Sequence, residues 1–123
     1  AGSIIAVVAT DAPLLPHQLK RLARRVPLGL ARTGAIGGHS SGDFFLAFST
    51  ANGEAMGEGL LSAEFLADSA IDPLFGAVIE ATEEAVLESM IANRTMVGRD
   101  GAIAHALPAD RLVDLLRAAG RME

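Results

Sequence analysis

The sequence contains no cysteine, tryptophan or tyrosine, and its only aromatic residues are five phenylalanines. Without cysteine, the chain has no disulfide, no thiol nucleophile and no thiolate metal ligand. Its three histidines, His17, His39 and His105, do not have a recognisable zinc-binding spacing. No P-loop or dinucleotide-binding glycine pattern occurs either. We therefore expect neither a metal nor a cofactor.

Positive charge is also scarce, because 10 Lys and Arg residues stand against 15 Asp and Glu residues and give a net charge of −5. With few aromatic rings to stack on bases, this balance argues against nucleic acid as a partner. The mean hydropathy is +0.37, yet no apolar run approaches the roughly 18 residues of a membrane span, so we expect no membrane partner. The excess of apolar residues instead predicts a surface buried against another chain. Both a cytoplasmic and a periplasmic location fit this composition.

Two apolar runs, residues 4–10 and 43–50, indicate strands that are buried on both faces. Helices are predicted to begin at prolines or just before them, at Pro16, Asp72-Pro73 and Pro108. Strands alternating with helices favour layered α/β packing. Because two strands alone cannot cover their own faces and edges, we expect this chain to be half of a larger domain.

Finer features of the helices and turns are also predicted. Pro27 should kink or end the first helix, whose basic residues are expected to face solvent. Residues 94–107 are predicted to be rich in turns, with a tight turn and an internal ion pair at 98–101. The last helix should end before Gly120. Its inward side is expected to comprise Leu112, Val113, Leu115 and Leu116.

The chain opens with Ala1-Gly2-Ser3, directly before the first predicted strand. Because no methionine begins it, we expect it to be a piece of a longer polypeptide. A serine with a free α-amino group carries nucleophile and base in one residue, as in N-terminal-nucleophile hydrolases. Two interpretations of Ser3 stay open on the residues alone. It is either the nucleophile exposed by a proteolytic cut or an ordinary serine at the start of a strand.

A second candidate site is the glycine-rich loop at residues 37–43. Ser41 and Asp43 would point the same way in an extended chain, and a hydroxyl beside a carboxylate can orient a nucleophile and relay a proton. The alternative is a polar loop in which Asp43 only binds backbone amides. We do not expect His39 to form a catalytic triad with these residues, because such triads are assembled from distant segments.

Several separated segments keep their order and together look familiar: residues 2–5, 9–14, 18–25, 29–34, 40–43, 46–52 and 93–101. Nearly end to end, the chain resembles the smaller, C-terminal β-subunit of the L-aminopeptidase D-esterase/D-amidase family, which includes the β-peptidyl aminopeptidases. The resemblance implies an inactive precursor that cuts itself, here between Gly2 and Ser3. It further implies a serine aminopeptidase or amidase that releases N-terminal amino acids from peptides, amides or esters, with D-amino-acid and β-peptide substrates among the possibilities.

The resemblance also implies roles for individual residues. Ser3 would be the nucleophile, Ser41 would assist it, and Asp43 would anchor it or the substrate amine. Ser40 and Gly42 would belong to the loop around the substrate and the oxyanion. The side chains that hold the oxyanion, including an Asn, would come from another subunit.

The fold implied by the resemblance is an α-β-β-α four-layer sandwich, of which residues 1–123 would form one subunit and one half. The larger N-terminal α-subunit of the same precursor would complete it, and these heterodimers would assemble into a higher oligomer. Two other functions stay open, an acyltransferase of the ornithine acetyltransferase type and a non-catalytic assembly subunit. Ala1 and Gly2 ahead of Ser3 depart from the pattern. Either the precursor is uncut, or the numbering includes residues from the other side of the cut, or the cut differs.

Overall fold

The computed structural model describes residues 2–55 and 57–123. Within them the chain forms four strands, four α-helices and two short 3-10 turns, at Asp68–Ala70 and Arg99–Gly101. This mixture confirms the predicted α/β class. The strands and helices are, in chain order, β1 Ile5–Thr10, α1 Pro16–Ala23, α2 Val26–Arg32, β2 Phe44–Ser49, α3 Asp72–Ile91, β3 Met96–Val97, β4 Ile103–Ala104 and α4 Ala109–Ala118. The chain divides into two compact units, Ala1–Glu84 and Ala85–Glu123.

The two long strands, β1 and β2, pair in parallel with Ile5 opposite Phe44 and Thr10 opposite Ser49. Parallel strands need a crossover connection, which α1 and α2 provide. Both strands therefore start at the same edge of the sheet. This register brings the residues just before β1 next to the loop that precedes β2, although 39 positions separate them in the sequence.

The two faces of this strand pair differ in exposure. Half-buried residues alternate with exposed ones along both strands, and α1 packs against the pair. Among the residues that the structure describes, α1 supplies a helical layer for one face, and burial of the other face stays a prediction about the larger domain. The other face remains apolar and 42–74% exposed at Ile5, Val7, Phe44, Leu46 and Phe48.

The core of the first unit lies among its helices and comprises Leu14, Leu22, Val26, Leu30, Ile71, Phe75 and Val78. The predicted effect of Pro27 is confirmed, since α1 ends at Ala23 and α2 begins at Val26. A proline in the first turn of a helix costs no backbone hydrogen bond.

The basic residues of the first helix do not all face solvent as predicted. The guanidinium carbons of Arg25 and Arg21 lie 3.8 Å and 5.2 Å from the centre of the Phe75 ring. Arg21 also forms an ion pair of 3.3 Å with Asp68. An arginine stem buries apolar surface while its head stays wet, so part of this basic stripe packs on the chain itself.

The second unit contains a short hairpin, in which Met96 and Val97 of β3 pair with Ala104 and Ile103 of β4. Its turn carries the predicted ion pair, with Arg99 Nε 3.3 Å from Asp100 Oδ2. The hairpin itself is missing from the prediction, because strands of two residues are too short to show an alternating pattern.

Helix α4 ends where predicted, before a Gly120 of positive φ (65°). Its predicted inward side is wrong at Leu115, which is 60% exposed, whereas Leu112, Val113 and Leu116 are half-buried. Among residues 2–55 and 57–123, no helix has the length and apolarity to cross a bilayer.

Candidate active site

The loop between α2 and β2 places its polar residues beside the start of β1. Gly34 and Gly37 adopt positive φ angles of 93° and 57°, which glycine tolerates best. The Ser41 N–H then donates to the Gly38 carbonyl at 2.8 Å and closes a turn. Because β2 starts immediately after this turn, residues 41–43 lie at the edge of the sheet where β1 also begins.

Ser3 contacts this loop directly. The backbone N–H of Gly42 donates to Ser3 Oγ at 2.8 Å, and the Ser3 side chain is exposed to solvent. The contact occupies an acceptor position on the oxygen and leaves the hydroxyl proton free for another acceptor. An N–H donor in this position also stabilises negative charge on the oxygen.

Asp43 joins the same cluster from the other side. Its Oδ1 accepts hydrogen bonds from the Ile4 N–H at 3.1 Å and from Ser41 Oγ at 2.5 Å. The Phe44 N–H donates to the Ile4 carbonyl at 2.9 Å and continues the parallel ladder. Asp43 therefore makes the contact with a backbone amide that is expected if it only stabilises the loop. It also makes the contact with a hydroxyl that is expected if it takes part in catalysis.

The other candidate residues lie outside this hydrogen-bonded cluster. Gly2, His39 and Ser40 are exposed, and no hydrogen bond joins His39 or Ser40 to the cluster among the residues that the structure describes. The same part of the chain holds no group of three or more His, Asp or Glu residues that could bind a metal ion.

The backbone amide of Ile4 is the member of the site that sequence reasoning missed. It lies one residue after Ser3 and is held by Asp43. The signal that could have revealed it is the pair of apolar runs, because parallel pairing of these strands brings their two preceding segments together. The site thus combines the solvent-exposed Ser3 hydroxyl, the Gly42 N–H that donates to its oxygen, and the Ser41 hydroxyl that donates to the Asp43 carboxylate. Such groups suit nucleophilic attack and proton transfer.

An α/β fold with serine and carboxylate side chains at the start of its first strand is compatible with serine nucleophile chemistry, and the sequence matches a known family. The model of peptidase family S58 matches residues 1–104. The chain belongs to this peptidase family.

Curated and solved relatives agree with the family. The beta-peptidyl aminopeptidase BapA of Sphingosinicella microcystinivorans is 44% identical over 118 residues, which cover 94% of this chain and 30% of that protein. The PH0078 protein of Pyrococcus horikoshii is 45% identical with a TM-score of 0.83, over 98% of this chain and 34% of its own. The L-aminopeptidase D-Ala-esterase/amidase of Ochrobactrum anthropi is 44% identical with a TM-score of 0.82, over 98% and 35%.

Two facts follow from these matches. The O. anthropi enzyme is described as a variant of the Ntn hydrolase fold, and its similarity to this chain confirms the predicted family and α/β fold. The chain spans only about a third of the length of the relatives that it matches.

Proposed function

We propose that residues 1–123 contain the C-terminal, nucleophile-bearing subunit of a self-cleaving serine aminopeptidase or amidase. The observation that carries the proposal is a pair of hydrogen bonds at one edge of the sheet, from the Gly42 N–H to Ser3 Oγ and from Ser41 Oγ to Asp43 Oδ1, with Asp43 also accepting from the Ile4 N–H. Support comes from the family and from relatives named as a beta-peptidyl aminopeptidase and as an L-aminopeptidase D-Ala-esterase/amidase. We propose peptides, amides or esters with a free N-terminal amine as the substrates.

The first proposed reaction is the cut between Gly2 and Ser3. Ser3 Oγ loses its proton and attacks the Gly2 carbonyl carbon, the C–N bond breaks, and the Ser3 nitrogen takes up the proton as an amine. Water then hydrolyses the resulting ester, which releases the Gly2 carboxylate and returns the proton to Oγ. The exposure of Gly2 and Ser3 leaves this bond open to water.

The second reaction uses the products of the first. The freed α-amine of Ser3 accepts the Oγ proton while Oγ attacks the substrate carbonyl, and the departing amine takes that proton. Water then attacks the acyl-enzyme carbonyl and gives a proton to the Ser3 α-amine, which returns it to Oγ as the acyl group leaves as a carboxylic acid. Ser41 shares the proton path from its place on Asp43, and Asp43 holds the backbone at Ile4. This serine chemistry requires neither metal nor cofactor.

The oxyanion donors and the pocket walls are proposed to come from a larger N-terminal subunit of the same precursor. The exposed apolar face of β1 and β2, which includes Phe44 at 62% and Ile5 at 74% exposure, supports this proposal, and we propose that the partner covers it. Apolar faces of this kind are covered by a second layer in stable proteins. A partner sheet there would complete the α-β-β-α sandwich, and the resulting heterodimers are proposed to assemble further.

The test is Ser3→Ala in the complete polypeptide that contains this chain, with Ser62→Ala as the control. Ser62 is an exposed serine in the loop that follows β2, beyond the opposite end of the strand pair. We expect Ser3→Ala to abolish both the cut at Gly2-Ser3, measured by mass spectrometry, and the hydrolysis of amino-acid amides. Activity above roughly a thousandth of wild type would contradict the proposal, because removing a nucleophile costs more than that. Ser62→Ala should cut and turn over normally.

A further inference from the structure

Gly42 lies in close contact with the proposed nucleophile, Ser3. Its N–H lies 2.8 Å from Ser3 Oγ. A Cβ at this position would sit 3.2 Å from the same oxygen, closer than the 3.4 Å at which ordinary contacts begin. Gly42 is not among the glycines with positive φ. Glycine at this position therefore avoids a tight contact with Ser3, and no unusual backbone angle requires it.

We infer that Gly42 is a positioning residue for Ser3, whose N–H holds Oγ in place and stabilises negative charge on that oxygen. This inference rests on the proposed function and deepens it. It differs from the oxyanion role expected for this loop, because the N–H is directed at the oxygen of the nucleophile rather than at a substrate carbonyl.

The charge on Ser3 Oγ changes at two points of the proposed cycle. It becomes negative as the amine removes its proton during attack. It becomes negative again when water has added to the acyl-enzyme and the bond from the acyl carbon to Oγ breaks, before Oγ recovers a proton. A fixed donor at 2.8 Å stabilises both states without reorganising. Gly42 should therefore accelerate acylation, deacylation and the precursor cut alike.

The same loop offers a matched control. Gly38 lies four residues earlier, has no positive φ, and would meet nothing within 4 Å if it carried a Cβ. Alanine at 38 and alanine at 42 remove the same backbone freedom from one loop, but alanine at 42 alone crowds Ser3. Any difference between the two variants therefore reports the contact with Oγ.

The experiment compares Gly42→Ala and Gly38→Ala in the complete polypeptide. The readouts are the fraction cut at Gly2-Ser3, kcat and KM for an amino-acid p-nitroanilide, and the melting temperature. We expect Gly42→Ala to lower kcat by on the order of tenfold, since Ser3 Oγ must give way by a few tenths of an ångström and a displacement of about one ångström costs about 10²-fold. KM and the melting temperature should stay near wild type. Gly38→Ala should lower kcat less than Gly42→Ala does, because alanine at 38 does not crowd Ser3.

A second variant removes the donor without adding an atom. Glycolic acid at position 42, introduced by in vitro translation, replaces the N–H by an ester oxygen and should lower kcat by on the order of 10²-fold. This ester variant tests the role of the Gly42 N–H if Gly42→Ala fails to fold.

The inference is overturned if the ester variant keeps kcat within about threefold of wild type. An equal loss in Gly38→Ala would also overturn it, by assigning the effect to the stiffness of the loop. Failure of the proposed function has a separate signature, which is a Ser3→Ala variant that still cuts and hydrolyses.

Discussion

Gly29 lies where α2 meets α3, and its replacement by alanine is expected to destabilise the protein. A Cβ at Gly29 would sit 2.6 Å from the Ile79 carbonyl oxygen and 2.6 Å from Thr82 Cβ. Both distances are 0.8 Å short of the 3.4 Å of ordinary contact. The Ile79 oxygen belongs to the backbone of α3 and cannot rotate away. Thr82 is held as well, since its hydroxyl donates to the Val78 carbonyl at 2.7 Å.

Two opposing effects decide whether Gly29→Ala raises or lowers the stability of the protein. Alanine favours a helix over glycine by about 1 kcal/mol. Overpacking a filled interface costs about 1–3 kcal/mol, and here the helices can relieve it only by moving apart. Because Gly29 is buried against a backbone atom, we expect the packing cost to win and the melting temperature of Gly29→Ala to fall by several degrees.

Gly76→Ala is the matched control, since Gly76 lies in α3, is exposed, and would place its Cβ in open space. This variant gains helix propensity without a clash and should melt at or above the temperature of wild type. Thermal unfolding followed by circular dichroism on the complete protein measures both. If the two variants shift the melting temperature equally, the close approach of α2 and α3 is refuted.

Three further variants test other contacts of the first unit. Gln18→Leu should lower the melting temperature, because the buried Gln18 amide makes three hydrogen bonds and each backbone group left unpaired costs about 1–3 kcal/mol. The pKa of Asp68 is lowered below 3.8 by the hydrogen bond from Gln18 and, to a smaller extent, by Arg21. The stabilisation that the ionised Asp68 carboxylate contributes is therefore present above a pH of about 4 and is lost as the pH falls through the lowered pKa. Asp68→Asn should accordingly flatten the acid limb of a plot of melting temperature against pH. Asp43→Asn should lower kcat by on the order of 10²-fold at nearly constant melting temperature. A lower melting temperature with normal turnover per folded molecule would instead assign Asp43 to the structure of its loop.

The elements of the first unit could be predicted because their signals are local. A proline marks the start of α1, and the spacing of Leu22, Val26 and Leu30 defines its buried side and that of α2. The apolar run before Thr50 locates β2 to within a residue at either end. The exposure of one particular face of β1 and β2 within this chain could not be predicted, because an apolar side chain has the same identity whether or not its own chain covers it.

The members of the candidate site could also be proposed from sequence, but their contacts could not. Ser41 and Asp43 are two residues apart, so their hydrogen bond is a local event. The contact between Ser3 and Gly42 spans 39 positions and depends on the parallel register of β1 against β2. A shift of that register by one residue would place different atoms beside Ser3, and no local pattern encodes the register.

The position of the cluster fits a nucleophile that is created by cleavage. In open α/β sheets, ligands commonly bind at the carboxyl ends of parallel strands, whereas this cluster lies at the amino ends of β1 and β2. A serine exposed by a cut before the first strand must lie at that amino end. Three hydrogen bonds tie Ser3 and Ile4 to residues 42–44, and none of them uses an atom of residues 1–2. The proposed cut therefore leaves these three hydrogen bonds intact, so one geometry can serve first the precursor and then the enzyme.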